Sequence, residues 1–135
     1  METFKCKLDI RMGVAVAITC TLLLSACGSS KVLLEDKCGD IRVAMQEVGN
    51  AYSEDDMVQG PGARQAHTDL LLASDKLKVL AQTIKSPDDE LVLKYAEDAK
   101  ALGWALENSA YDSPLLNSAT DDILSSAQAL SSRCS

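Results

Sequence analysis

Apolar residues recur every three or four positions along this chain from residue 34 onward, and that rhythm limits what it can fold into. Leu34, Cys38, Ile41, Met45, Val48 and Tyr52 form one set. Ala63, Ala66, Leu70, Ala73, Leu77, Leu80 and Ile84 form a second. Val92, Tyr95, Ala99, Leu102 and Leu106 form a third, and Leu116, Ala119, Ile123, Ala127 and Leu130 a fourth. Steps of three and four keep a set on one face of an α-helix, whereas a strand needs strict alternation and β-branched clusters, which are absent. A helix with one apolar stripe must bury it against another helix. The pattern therefore predicts an all-α, antiparallel up-down-up-down four-helix bundle, with helices over about 32–53, 61–85, 87–110 and 114–133.

The residues between the stripes agree with that division. Gly60-Pro61-Gly62 interrupts the first and second sets, and proline suits the first turn of a helix. Ser86-Pro87-Asp88-Asp89 offers a cap, a proline at the first helical position and early carboxylates that complement the helix dipole. Asp112-Ser113-Pro114 does the same for the last segment. Gly39 and Gly49 each disfavour helix by about 1 kcal/mol relative to alanine. The first helix could thus begin only at Asp40, leaving Cys38 in an extended lead-in.

Ahead of the bundle, Lys5, Lys7 and Arg11 precede an uncharged run from Met12 to Leu24, with Glu2 and Asp9 among the bases. As a helix that run spans about 20 Å, short of the roughly 30 Å hydrocarbon core of a bilayer. A basic start, a short apolar core and small residues after it form the pattern of a secretory signal. An uncleaved single-span anchor is the alternative. Leu24-Ser25-Ala26-Cys27 resembles the lipobox of bacterial lipoproteins: a leucine, two small residues and a cysteine. The resemblance implies that residues 1–26 are a signal peptide cut away before Cys27, which carries a diacylglyceryl thioether. Residues 27–31 then form a lipidated tether and 32–135 the bundle. It also implies an extracytoplasmic position at a cell membrane or outer membrane. In a cell with two membranes, Gly28, in place of the aspartate that typically retains such proteins at the inner one, favours the outer membrane. Buried acyl chains contribute about 0.8 kcal/mol per methylene, enough with two or three chains to hold a small domain at a surface.

If Cys27 is acylated, and Cys6 and Cys20 leave with the signal, Cys38 and Cys134 remain. In an oxidising compartment the natural reading is a disulfide, with two free thiols or half of a metal site as alternatives. The disulfide also tests topology. The start of the first helix and the end of the fourth meet in an up-down-up-down bundle, whereas three equal rods would hold them a helix length apart. The remaining 109 residues suffice for one small domain. They carry ten Lys and Arg against eighteen Asp and Glu, a net charge of −8, without a basic stripe. Such a surface repels phosphate backbones, which argues against nucleic acid as a partner.

Catalytic signals are missing. His67 is the single histidine and reads as a residue flanking the core. No recognisable nucleophile–base constellation, Gly-rich phosphate loop or Cys/His pair accompanies it, so the chain is expected to be no enzyme and to hold no cofactor other than the lipid on Cys27. Arg64 occupies the position three before His67, where a di-iron bundle needs glutamate. Acidic clusters at Asp88-Asp89-Glu90 and Asp121-Asp122 sit at or near helix starts, and Glu54-Asp55-Asp56 lacks the spaced loop of a calcium site. No metal site is expected. Trp104 and Tyr111, seven residues apart, fall opposite the third stripe, where exposed aromatics suit a protein contact. The alternative is that Trp104 covers a seam edge or the loop near Leu115. The expected role is therefore binding or scaffolding another envelope protein through these two residues. A carrier of a small ligand or metal between the helices, and an immunity or inhibitor lipoprotein acting through its acidic surface, are alternatives.

Overall fold

The structure, a computed structural model, describes residues 30–52 and 61–135. The signal segment, Cys27 and the Glu54–Asp56 cluster lie outside the described residues. Four helices follow one another: α1 (Cys38–Tyr52), α2 (Pro61–Gln82), α3 (Asp88–Asn108) and α4 (Pro114–Arg133). There are no strands among the described residues, and the extended packing seams join α1 to α2, α2 to α3 and α3 to α4.

The first helix starts neither at residue 32 nor at Asp40. A 3₁₀ turn over Leu34–Lys37 runs directly into α1 at Cys38, so the lead-in is helical rather than extended. Leu34 is fully buried, which holds that turn against the core. The glycine penalty is thus outweighed by burial on both sides of Gly39, at Leu34 and Ile41. Just upstream the backbone is also fixed. Val32 N–H donates to the Thr83 carbonyl at 2.8 Å, and Lys85 N–H returns to the Val32 carbonyl at 2.9 Å. Lys31 adds an ion pair with Asp89 at 3.5 Å. Lys31, the last residue of the expected tether, is therefore docked on the α2–α3 connection.

That connection also differs in detail from expectation. Ser86–Pro87 is a cis peptide, Pro87 precedes α3 rather than opening it, and no side chain caps the helix. The early amides are met by backbone instead, Asp89 N–H by the Lys85 carbonyl and Glu90 N–H by that of Pro87. Asp88, Asp89 and Glu90 do occupy the first turn. At α4 the local signal holds as written. Pro114 is in the first turn, and Ser113 Oγ accepts from Leu116 N–H at 3.2 Å.

The core follows the stripes, with Leu34, Ile41, Leu70, Leu77, Ile84, Val92, Leu102 and Leu130 fully buried. Each such side chain is worth about 1.5–3 kcal/mol, whereas the many alanines between them (Ala66, Ala73, Ala96, Ala99) mainly let helices approach closely. Tyr52, assigned to the first stripe, is instead exposed at the end of α1, and Met45 is only partly buried. Gly103 marks a close approach of α3 to α2. A Cβ there would stand 3.2 Å from Leu70 Cβ and 3.3 Å from His67 Cα. The chain's two ends are tied by a Cys38–Cys134 disulfide with Cα atoms 5.3 Å apart, and Arg42 donates to the Cys134 carbonyl beside it.

Candidate functional site

Trp104 projects from the outer side of α3 and is 51% exposed, while its neighbours Leu102, Gly103 and Ala105 are buried. It stands at an open groove of about 410 Å³ between α3 and α4. Ala101 and Trp104 of α3 face Leu115 and Ala119 of α4, and Leu115 is itself 48% exposed. Polar groups border these apolar ones: Glu97 and Lys100 on α3, Asp122 on α4, and His67 of α2. Asn108 Nδ2 donates to the Trp104 carbonyl at 2.9 Å, closing the turn that carries the indole.

His67 is held rather than free. Its ring lies over Gly103, and its Nδ1–H donates to Glu107 Oε2. The partly buried residue expected beside the core is thus a pin between α2 and α3 at the edge of the groove. A nearby pair links Lys94 to Asp98, with Nζ–O distances of 2.5 and 2.7 Å. Those hydrogen bonds hold the Lys94 ammonium above its ordinary pKa, against a smaller opposing effect of desolvation. Tyr95 faces inward, and burial pushes its phenol up to about 12.

Tyr111 is 66% exposed but does not share a helical stripe with Trp104. The helix ends at Asn108, Ser109 turns into extended backbone, and Tyr111 lies in the turn that leads to α4. It does not line the Trp104 groove. Among the described residues no cluster of three or more His, Cys, Asp or Glu side chains is arranged to hold a metal. No described helix is long and apolar enough to cross a membrane.

A second groove, of about 630 Å³, runs between α1 and α2. Its apolar lining includes Val43, Leu72 and Val79, all exposed. These three residues lie off the buried stripes, so apolar periodicity does not single them out. Large apolar side chains at off-stripe positions were the available signal. No protein-family model matches this chain, and no curated protein and no solved structure matches it significantly.

Proposed function

We propose that this chain is a lipid-anchored extracytoplasmic protein that binds or scaffolds another envelope protein, with Trp104 as the central anchor of the contact. The bundle that carries it is read as antiparallel, up-down-up-down. Register supports that reading: Glu47 pairs with Lys76 across α1 and α2, and His67 with Glu107 and Lys78 with Glu97 across α2 and α3. Asp88 at the start of α3 pairs with Arg133 at the end of α4, at 2.7 Å. Acylation of Cys27 and removal of residues 1–26 follow from the lipobox-like Leu24-Ser25-Ala26-Cys27.

Anchor and site are then related by distance. Five residues from Cys27 to Val32 reach at most about 18 Å. The end holding Val32, Ile84 and the disulfide therefore faces the membrane, and Trp104 stands some 24 Å up α3 from Asp88 at about 1.5 Å per residue. Tyr111, exposed in the turn at the opposite end, is read as a second contact residue separate from the groove. The observation that carries the reading is the half-exposed indole in an open apolar groove beside Leu115. Tryptophan is among the residues that most often dominate protein interfaces. An open cleft suits a protein contact better than it suits an enclosed small ligand, which favours binding over carriage.

The test is capture of the full chain from bacterial membranes, with Trp104→Ala alongside. Loss of a wild-type partner in the variant is expected, and an unchanged set of partners would overturn the assignment. The anchor is tested by mass spectrometry of the processed chain. A diacylglyceryl-modified N-terminal cysteine is expected, and a product that still begins at Met1 would exclude it.

A further inference from the structure

Between α1 and α2 the two outward faces present matching stripes. On α1 these are Asp40, Val43, Ala44 and Glu47; on α2 they are Leu72, Asp75, Lys76 and Val79. Each stripe runs at the i, i+3, i+4, i+7 spacing of a helix face, and together they wall a groove whose floor is apolar. Val43, Leu72 and Val79 are 60%, 57% and 63% exposed, which leaves three large aliphatic side chains without cover. The groove continues past Glu47 to Asp69 and Ala51, about 17 Å along α1 at 1.5 Å per residue. That is three helical turns.

We infer that this groove docks a cationic amphipathic helix of a partner protein, with an apolar ridge on the floor and lysine or arginine against the acidic rim. The inference is independent of the Trp104 site, with which the groove shares no residue. Charge selects the occupant. Four carboxylates border the groove: Asp40, Glu47, Asp69 and Asp75. Lys76 binds Glu47 through both oxygens at 2.8 Å, and Lys37 meets Asp40 at 3.4 Å. Asp75 has no ion-pair partner among the described residues, and Asp69 accepts a hydrogen bond from the neutral Gln65. The rim is therefore left with net negative charge facing solvent. Fatty acids and anionic lipid headgroups carry the same sign and are disfavoured. A second copy is disfavoured for the same reason, since the chain carries a net −7. Two packed helices with exposed ridges accept a third by interdigitation, the geometry of helix-in-groove recognition.

The experiment uses the full chain in phosphatidylcholine nanodiscs, with empty discs as the blank. Three synthetic helical peptides of about twelve residues are titrated: a Leu/Lys amphipathic helix, its scrambled isomer and a Leu/Glu counterpart. The Leu/Lys peptide is expected to bind. Val79→Ser and Leu72→Ser should each weaken it about tenfold, the usual scale for an anchor side chain, and Trp104→Ala should leave it unchanged. Raising salt from about 0.1 M to about 1 M, which shortens the Debye length from about 10 Å to about 3 Å, should weaken it further. Both variants alter exposed side chains, and circular dichroism verifies their helix content. Equal binding of all three peptides, or binding indifferent to Val79→Ser, overturns the proposal. So does a dimer of the full chain, detected by sedimentation, that Val79→Ser abolishes, because it would assign the groove to a second copy.

Discussion

Cys38 and Cys134 are joined across 96 residues of sequence, at the point where the first turn of α1 meets the residue after α4. The extended seams run α1–α2, α2–α3 and α3–α4, so the bond links the two helices that lie furthest apart along the chain. Arg42 reinforces it by donating to the Cys134 carbonyl. The disulfide therefore closes the bundle where packing contributes least.

Removing it should be expensive. Closing a loop near 100 residues limits the unfolded chain by up to about 4.7 kcal/mol, and typical measured values are about 2–4 kcal/mol. The double variant Cys38→Ala/Cys134→Ala is expected to lose that much, lowering Tm by roughly 10–30 °C for a domain this small. Calorimetry with and without reductant checks it. Wild type under reductant should approach the double variant, while the double variant should ignore reductant. A wild-type Tm unmoved by reduction would contradict the role assigned to the bond.

The contact of Gly103 with α2 makes a second prediction that reverses an ordinary rule. Alanine in place of a helical glycine usually stabilises by about 0.5–1 kcal/mol. At Gly49 nothing lies within 4 Å of an added Cβ, so Gly49→Ala should show that gain. At Gly103 the added methyl meets His67 Cα and Leu70 Cβ, which belong to or sit next to α2 backbone and cannot rotate away. Overpacking costs about 1–3 kcal/mol, which exceeds the propensity gain. Gly103→Ala should lower stability and weaken the His67–Glu107 pair, as read by urea unfolding of the two variants side by side.

Tyr95 predicts how the bundle fails in alkali. Its phenol is buried and its pKa is pushed up to about 12 from an ordinary 10.0, so the folded chain holds this proton more tightly than the unfolded chain does. Below about pH 10 both states are protonated and the contribution is fully present. Between about pH 10 and pH 12 unfolding releases the proton, and stability falls by up to about 1.4 kcal/mol per pH unit. Lys94, also raised, acts in the same direction, but its ammonium is exposed and adds little. Urea unfolding at about pH 9 and about pH 11.5 should show wild type losing about 2 kcal/mol more than Tyr95→Phe. Equal losses would mean that the phenol is not the group responsible.

These residues also show what sequence periodicity can and cannot reveal. Four helices, their separators and the Ser113-Pro114 start of α4 were legible because each depends on neighbours within a turn or two. So was the pairing of Cys38 with Cys134, once the other thiols were assigned to the signal and its lipid. The start of α1 was not, because burial of Leu34 against distant residues overrode the local cost of Gly39. Nor was the exit of Pro87 from α3, since the amides it was expected to leave to a side-chain cap are met by Lys85 and Pro87 carbonyls. Trp104 lay off the stripe and is exposed, but its apparent register with Tyr111 assumed a helix continuing about one turn past its observed end at Asn108. The α1–α2 groove escaped because a stripe search discards off-stripe residues such as Val43, Leu72 and Val79.

Ser74 supplies the last prediction. It lies in the middle of α2 at 1% exposure, and its hydroxyl finds no hydrogen-bond partner among the described residues. Ser126, nearly as buried, donates to the Ile123 carbonyl at 3.2 Å. A buried hydroxyl without a partner costs about 1–3 kcal/mol, and serine is also a weaker helix former than alanine by up to about 0.7 kcal/mol. Ser74→Ala keeps the Cβ, so the cavity it leaves is the size of one oxygen. The substitution should therefore stabilise the bundle by about 1 kcal/mol and raise Tm by about 4–8 °C. Ser126→Ala gives up a real hydrogen bond and should gain nothing. Thermal unfolding of the two variants decides the matter, because a Ser74→Ala protein no more stable than Ser126→Ala would mean that the Ser74 hydroxyl is satisfied after all.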